Sequence, residues 1–221
     1  VLVLALDTAT PAVTAGVVEL TVRDVVPRSV RVVLDARKHA ELLMPGILAA
    51  CADAGVALGD VEAVVTGIGP GPFTGLRVGM VTAAALGHGL GVPVHGVCSL
   101  DAIARDATGA GGTLLVATDA RRREVYWAVY DGSGRRLDGP HVEAPAALVG
   151  RLGGLGVGAV AGGAAGGLGP PVRGPAAPSP AGLVGVAAGV LRAGVVPGPL
   201  EPLYLRRPDA REPGARKPVG A

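Results

Sequence analysis

Aromatic side chains are nearly missing: the 221 residues hold one Trp, three Tyr and one Phe. The core must therefore be built from Val, Leu and Ala. Charge is also scarce at 17%, and 20 Lys and Arg stand against 18 Asp and Glu for a net +2. So even a balance gives little pull toward a nucleic-acid backbone, which calls for a basic stripe. Cysteine is limited to Cys51 and Cys98, each inside an apolar segment and without metal-ligand spacing. Both are expected to be buried free thiols in a reducing compartment. A credible membrane span is lacking as well. Residues 78–90 follow Arg77 and contain His88, and residues 152–172 are uncharged but rich in glycine, which adds little to transfer into lipid. No charged n-region or cleavage site precedes the first strand, so no signal peptide is expected. The expectation is a cytoplasmic protein with no membrane contact.

What is present is apolar and glycine-rich. Hydrophobic residues make up 49% of the chain, enough for a sizeable core, and glycine numbers 37. Gly, Ala, Pro and Arg are over-used throughout, so an isolated glycine motif carries little weight. The one basic cluster, Arg206, Arg207, Arg211, Arg216 and Lys217, reads as a solvated end.

Apolar runs at 1–6, 13–20 and 29–34 predict three strands joined by hairpins. Leu42, Leu43, Ile47, Leu48 and Cys51 recur at helical spacing and predict a helix over 38–54, with Gly55 as its stop and Pro45 in its first turns or at a kink. A buried strand at 61–68 leads through a glycine turn to a helix over 74–90. A strand at 93–97 and a helix at 100–107 complete the order βββαβαβα. Strands are then predicted at 113–118, 124–131 and 135–143, a helix at 181–193 and a terminal strand at 203–205. Between them the text is too rich in Gly, Ala and Pro to read.

The most specific segment is Gly67-Ile-Gly-Pro-Gly-Pro-Phe-Thr-Gly-Leu-Arg77, a strand-to-helix turn. Its glycines could cradle phosphate at a helix N-terminus, but Leu76-Arg77 stands where a P-loop needs Lys and Ser or Thr. The favoured reading is a tight turn capped by Thr74. In the following helix Gly75, Gly79, Ala83 and Gly87 form a ridge of small residues, and Leu76, Met80 and Val81 cover much of the rest. A helix apolar on nearly all sides must be covered on nearly all sides. The ridge is therefore expected to face outward as an interface, and bulk at Gly79 or Ala83 to block association while leaving the chain folded. Arg77 is expected to hold the turn through nearby carbonyls or a carboxylate such as Asp7.

Two further hairpins carry polar groups. Asp7-Thr8-Ala9-Thr10 ends the first strand, and Asp119-Ala-Arg-Arg-Arg-Glu124 ends the first strand of the second half. Both look like relics of the paired phosphate hairpins of an ATP-binding duplicated fold. In the second, Arg121, Arg122 and Arg123 fill a turn that needs glycine for close phosphate approach, so it is poorly built for phosphoryl transfer. A metal at His39-Ala40-Glu41 would need a second ligand one turn on, where Leu43 stands. His39 and Glu41 read as a surface or capping pair. His88, His95 and His141 stand alone. Residues 162–167 could mimic an adenosine-binding loop only weakly.

Six segments together resemble the TsaB (YeaZ) family: Leu4-Ala-Leu-Asp-Thr-Ala-Thr10, His39-Ala-Glu-Leu-Leu43, Gly69-Pro-Gly-Pro-Phe-Thr-Gly-Leu-Arg-Val-Gly79, Val97-Cys-Ser-Leu100, Asp119-Ala-Arg-Arg-Arg-Glu-Val-Tyr-Trp127 and Pro202-Leu-Tyr-Leu-Arg206. The resemblance implies an α/β, actin-like (ASKHA) fold of two RNase H-like lobes, residues 1–108 and a reduced lobe of 109–221. It implies a non-catalytic partner without cofactor or metal. That partner would bind a TsaD-type transferase through the two first-lobe helices, using His39, Glu41, Leu42, Leu43, Ile47, Leu76, Gly79, Met80, Ala83 and Gly87. With a TsaE-type ATPase it would support threonylcarbamoyl transfer to the adenosine beside the tRNA anticodon, meeting tRNA only through the complex and pairing with itself in isolation. The motif turn Gly69, Pro70, Gly71, Phe73, Thr74, Gly75 and Arg77 and the hairpin residues Asp7, Thr8, Thr10, Asp119 and Arg121 complete the expected site. Arg123 departs from the family, which commonly has Gly there. The rival readings are an ATP-dependent kinase or phosphotransferase of the sugar-kinase class and a metalloprotease; each lacks its required residues.

Overall fold

A computed structural model describes residues 1–107 and 112–206. The first lobe contains β1 (Leu2–Asp7), β2 (Ala12–Leu20), β3 (Val25–Pro27), β4 (Arg31–Leu34), α1 (His39–Ala54), β5 (Ala63–Gly67), α2 (Phe73–Leu90), β6 (Val94–Val97) and α3 (Ser99–Asp106). The second contains β7 (Thr113–Asp119), β8 (Val125–Tyr130), β9 (Arg136–Glu143), α4 (Pro145–Leu152), β10 (Val157–Ala161) and α5 (Pro180–Arg192).

The first sheet runs β3-β2-β1-β5-β6, and β4 also pairs with β2. β1 is antiparallel to β2 and parallel to β5, which is parallel to β6. The second sheet, β10-β7-β8-β9, repeats this plan without a last strand: β7 is antiparallel to β8 and parallel to β10. This is the actin-like pair of lobes, with the second reduced.

Strand alternation divides each core in two. Leu4 and Leu6 of β1 face Leu43 and Ile47 of α1 and Ala83 of α2, whereas Val3 and Ala5 face the opposite layer. That opposite layer is α5, whose Leu183, Val184, Ala187 and Ala188 cover the first sheet. Conversely, Leu100, Ile103 and Ala104 of α3 pack on Leu114 and Val116 of β7 and Tyr126 and Tyr130 of β8. Each lobe's last helix therefore covers the other lobe's sheet. Polar ties reinforce the exchange. The Tyr130 hydroxyl donates to Asp101 at 2.7 Å, and Ser179, the N-cap of α5, donates through its N–H and Oγ to Asp106 at 3.1 and 3.0 Å.

Several expected boundaries shift. The strand expected at 29–34 is observed as β4, and a further short strand that was not expected, β3, precedes it; both pair with β2. Residues 203–205 form no strand; the Leu203 N–H donates to the Ile68 carbonyl at 2.8 Å and the Tyr204 N–H turns back to the Pro202 carbonyl at 2.9 Å. The basic cluster from Arg207 onward lies outside the described residues, as does the expected lobe boundary at 108–109. Cys51 and Cys98 are free and buried, and burial pushes the Cys98 thiol up to about 12. Among the described residues no helix is long and apolar enough to cross a membrane.

Candidate functional site

The two hairpins face one another across the cleft between the lobes. In the first, the Asp7 carboxylate has no exposed surface. It accepts the Ser99 hydroxyl at 2.5 Å and the Ala9 N–H at 2.9 Å. Burial pushes its pKa up to about 6, against the opposing pull of these donors and of His39 nearby. Gly67 is required beside it, because a Cβ there would overlap the carboxylate. The neighbouring Thr8 hydroxyl donates to the Gly75 carbonyl at 2.7 Å and accepts the Gly79 N–H at 2.8 Å. Thr8 therefore seats the first turns of α2. His39 is buried, not a surface group, and its Nε2–H donates to the Thr10 carbonyl at 2.9 Å. Glu41 is exposed, so the two do not act as a pair.

In the second hairpin, Arg121, Arg122 and Arg123 all adopt left-handed backbone, with φ of 61°, 53° and 62°. Such geometry costs an ordinary residue about 1–2 kcal/mol, which accounts physically for the glycine expected at position 123. Asp119 accepts the Arg121 N–H at 2.9 Å. Arg206 clasps the turn from the C-terminal segment, donating to the Ala120 carbonyl at 3.0 Å and pairing with Glu124. Two cavities lie on either side of Phe73. One of about 300 Å³ is bounded by Thr10, His39, Gly75 and Arg121, the other of about 150 Å³ by Arg122, Tyr204 and Arg206.

Arg77 takes a different role from the one expected. Its Nε donates to the Tyr204 hydroxyl at 2.8 Å, and its guanidinium lies 3.8 Å above the Phe73 ring, which stacks on Tyr204 at 5.0 Å. Ser99, not Arg77, partners Asp7. Thr74 is not the cap of α2 either: Pro72 holds that position, without a side-chain bond.

The small-residue ridge faces inward, which overturns the expectation of an outward interface there. A Cβ on Gly79 would lie 2.5 Å from Thr8 Oγ1 and one on Gly75 2.9 Å from the Thr8 carbonyl; Gly87 abuts Val94. Leu76, Met80 and Ala83 are buried with them, as are Leu43 and Ile47 of α1. The outer faces carry other residues. On α2 these include Phe73, Thr74, Arg77, Val81, Ala84, Ala85 and His88; on α1 they include Ala40, Glu41, Pro45, Leu48, Ala52 and Asp53. Val81 is 65% exposed and Leu48 51%.

The family model described as TsaD, tRNA N6-adenosine threonylcarbamoyltransferase, matches residues 25–164. An uncharacterised protein of Mycobacterium tuberculosis H37Rv is 55% identical over 209 residues, 95% of this chain and 93% of that one. The tRNA threonylcarbamoyladenosine biosynthesis protein TsaB of Escherichia coli K12 is 38% identical over 96 residues, 42% of each. YeaZ from Pseudomonas aeruginosa superposes with a TM-score of 0.72 at 28% identity, over 92% of this chain and 99% of that one. The chain belongs to this family, on its TsaB (YeaZ) branch.

Within that family's motif, Gly71 passes so close to the Ala9 backbone that any side chain would collide. The motif glycines thus lock the α2 turn onto the first hairpin. Ser99 and Tyr204 are the site residues that sequence reasoning did not single out. Both stand inside quoted motifs, the Val97–Leu100 and Pro202–Arg206 segments, and those motifs were the available signal. Among the described residues no group of three or more His, Cys, Asp or Glu could hold a metal ion. The glycine run from Gly162 packs against Ala117, with the Gly162 N–H on the Pro175 carbonyl.

Proposed function

We propose that this chain is a non-catalytic scaffold subunit in the formation of N6-threonylcarbamoyladenosine beside the tRNA anticodon. It binds a TsaD-type transferase through the outer faces of α1 and α2, and a TsaE-type ATPase completes the assembly. Family membership supports the pathway: the matched model is described as the transferase, and the E. coli relative as a biosynthesis protein for this nucleoside. The observation that carries the docking role is a pair of large apolar side chains, Val81 and Leu48, solvent-exposed on adjacent helices among the polar Glu41, Arg77 and His88. Surface helices of this kind normally show polar residues to water. A partner that supplies two similar helices would cover them. In its absence a second copy would use the same face twice.

The scaffold reading also draws support from both hairpins. Asp7 is wholly buried and already bonded, and the second turn is arginine throughout. An electrostatic cradle for phosphoryl transfer needs positioned donors and reachable carboxylates. Reconstitution tests the proposal: transferase, ATPase, tRNA and threonylcarbamoyl adenylate with and without this chain. The modified nucleoside should form at a useful rate only with the chain, and Asp7→Asn should support it fully. A rate independent of the chain, or abolished by Asp7→Asn in a folded protein, would contradict the scaffold role.

A further inference from the structure

The densest run of exposed apolar residues lies on and beside a strand. Val30, Val32, Val33 and Leu34 are 53%, 47%, 48% and 80% exposed. The last three belong to β4, which pairs with β2 along one edge; among the described residues no strand lies along the other. The Asp35 N–H donates to the Pro11 carbonyl, in register with the β2–β4 pairs. Antiparallel ladders alternate, so the N–H and C=O groups of Val32 and Leu34 point away from β2. An apolar edge with free backbone groups is a template for another strand.

We infer that a second copy of this chain occupies that edge, its β4 laid antiparallel about a two-fold axis. The sequence 31–35, Arg-Val-Val-Leu-Asp, selects the register. Centred on Val33, Val32 exchanges backbone bonds with Leu34 of the second copy, Val33 meets Val33, and Arg31 meets Asp35 on the same face. Centred on Val32, Arg31 faces a valine; centred on Arg31, two guanidinium groups face one another. Only the first register joins opposite charges and apolar pairs throughout. Both charged side chains keep spare capacity while held inside their own chain: Asp35 Oδ1 accepts the Arg37 and Lys38 N–H groups at 2.9 and 3.1 Å, leaving Oδ2, and Arg31 keeps further donors. The Arg31 Nε and one Nη already bond Asp53 of α1 at 2.7 and 2.9 Å, with the ion pair about half exposed, and its remaining donors are available to a second carboxylate. Four residues bury much less than a stable dimer interface, about 1,200–2,000 Å², so the pairing depends on concentration. Where the helix face pairs two copies as proposed above, this second face would extend the assembly beyond a dimer.

Sedimentation of the full chain tests this in a Val81→Glu background, which removes association through the helices. That protein should dimerise as concentration rises. Arg31→Asp and Asp35→Arg, each added singly, should weaken the dimer at least tenfold by setting like charges opposite. Their equimolar mixture should restore it, because each variant then meets the opposite charges of the other. Val32→Pro removes only an outward N–H and should also abolish pairing, with melting curves confirming the fold. A monomer at every concentration, a dimer indifferent to Val32→Pro, or a mixture no better than either charge variant overturns the inference.

Discussion

Asp7 stands buried among donors that satisfy it without neutralising it, and its pKa of about 6 lies above the ordinary aspartate value. The native state therefore holds this proton over a window where the unfolded chain has lost it. Between about pH 4 and 6 the contribution falls as pH rises, and above pH 6 the charged, desolvated form is a constant penalty of about 2–3 kcal/mol. Asp7→Asn keeps an acceptor for the Ala9 N–H and removes the charge. It should raise the melting temperature at pH 8 and flatten the profile between pH 4 and 6; a large loss of stability at pH 8 would contradict this. Arg77 is exposed and its partners are neutral, so Arg77→Ala should cost only about 1 kcal/mol, less than a buried carboxylate partner would imply. A double-mutant cycle with Tyr204→Phe, read from urea midpoints, should show positive coupling between the two.

For elements, α2 holds the main lesson. Its existence and length were legible: residues 74–90 were expected, and Phe73–Leu90 is observed. Its orientation was not. Periodicity locates a buried face only where the opposite face is polar, and here valine and alanine occupy both. The deciding contact, Thr8 beneath Gly75 and Gly79, joins residues about 70 positions apart, beyond any local pattern. Gly79→Glu should consequently fail to fold, as seen by circular dichroism, where a surface ridge would have tolerated it. The Arg121–Arg123 turn gives a prediction of the opposite sign. Arg123→Gly relieves a left-handed conformation and should stabilise the chain by about 1 kcal/mol in chemical denaturation, net of glycine's greater unfolded freedom. α4 and β10 escaped sequence reading because Gly and Ala between 145 and 165 give almost no contrast between faces.

At the scale of the whole molecule, the exchanged helices tie the lobes into one unit. The α5 segment was expected as a helix, yet nothing local could assign it to the first sheet, where Leu183 and Ala187 pack on Val3 and Val65. The actin-like plan was legible through the strand and helix order and the motifs. The site was legible in its residues more than in their directions. If the second lobe braces the first through α5, both should unfold together. Docking of a transferase partner through the outer faces of α1 and α2 is open to a direct test. Calorimetric titration of the TsaD-type partner into Val81→Glu and Leu48→Glu variants measures it most directly. Folded proteins with wild-type melting and binding weakened at least a hundredfold are expected; folded variants that bind with wild-type affinity would rule the docking face out.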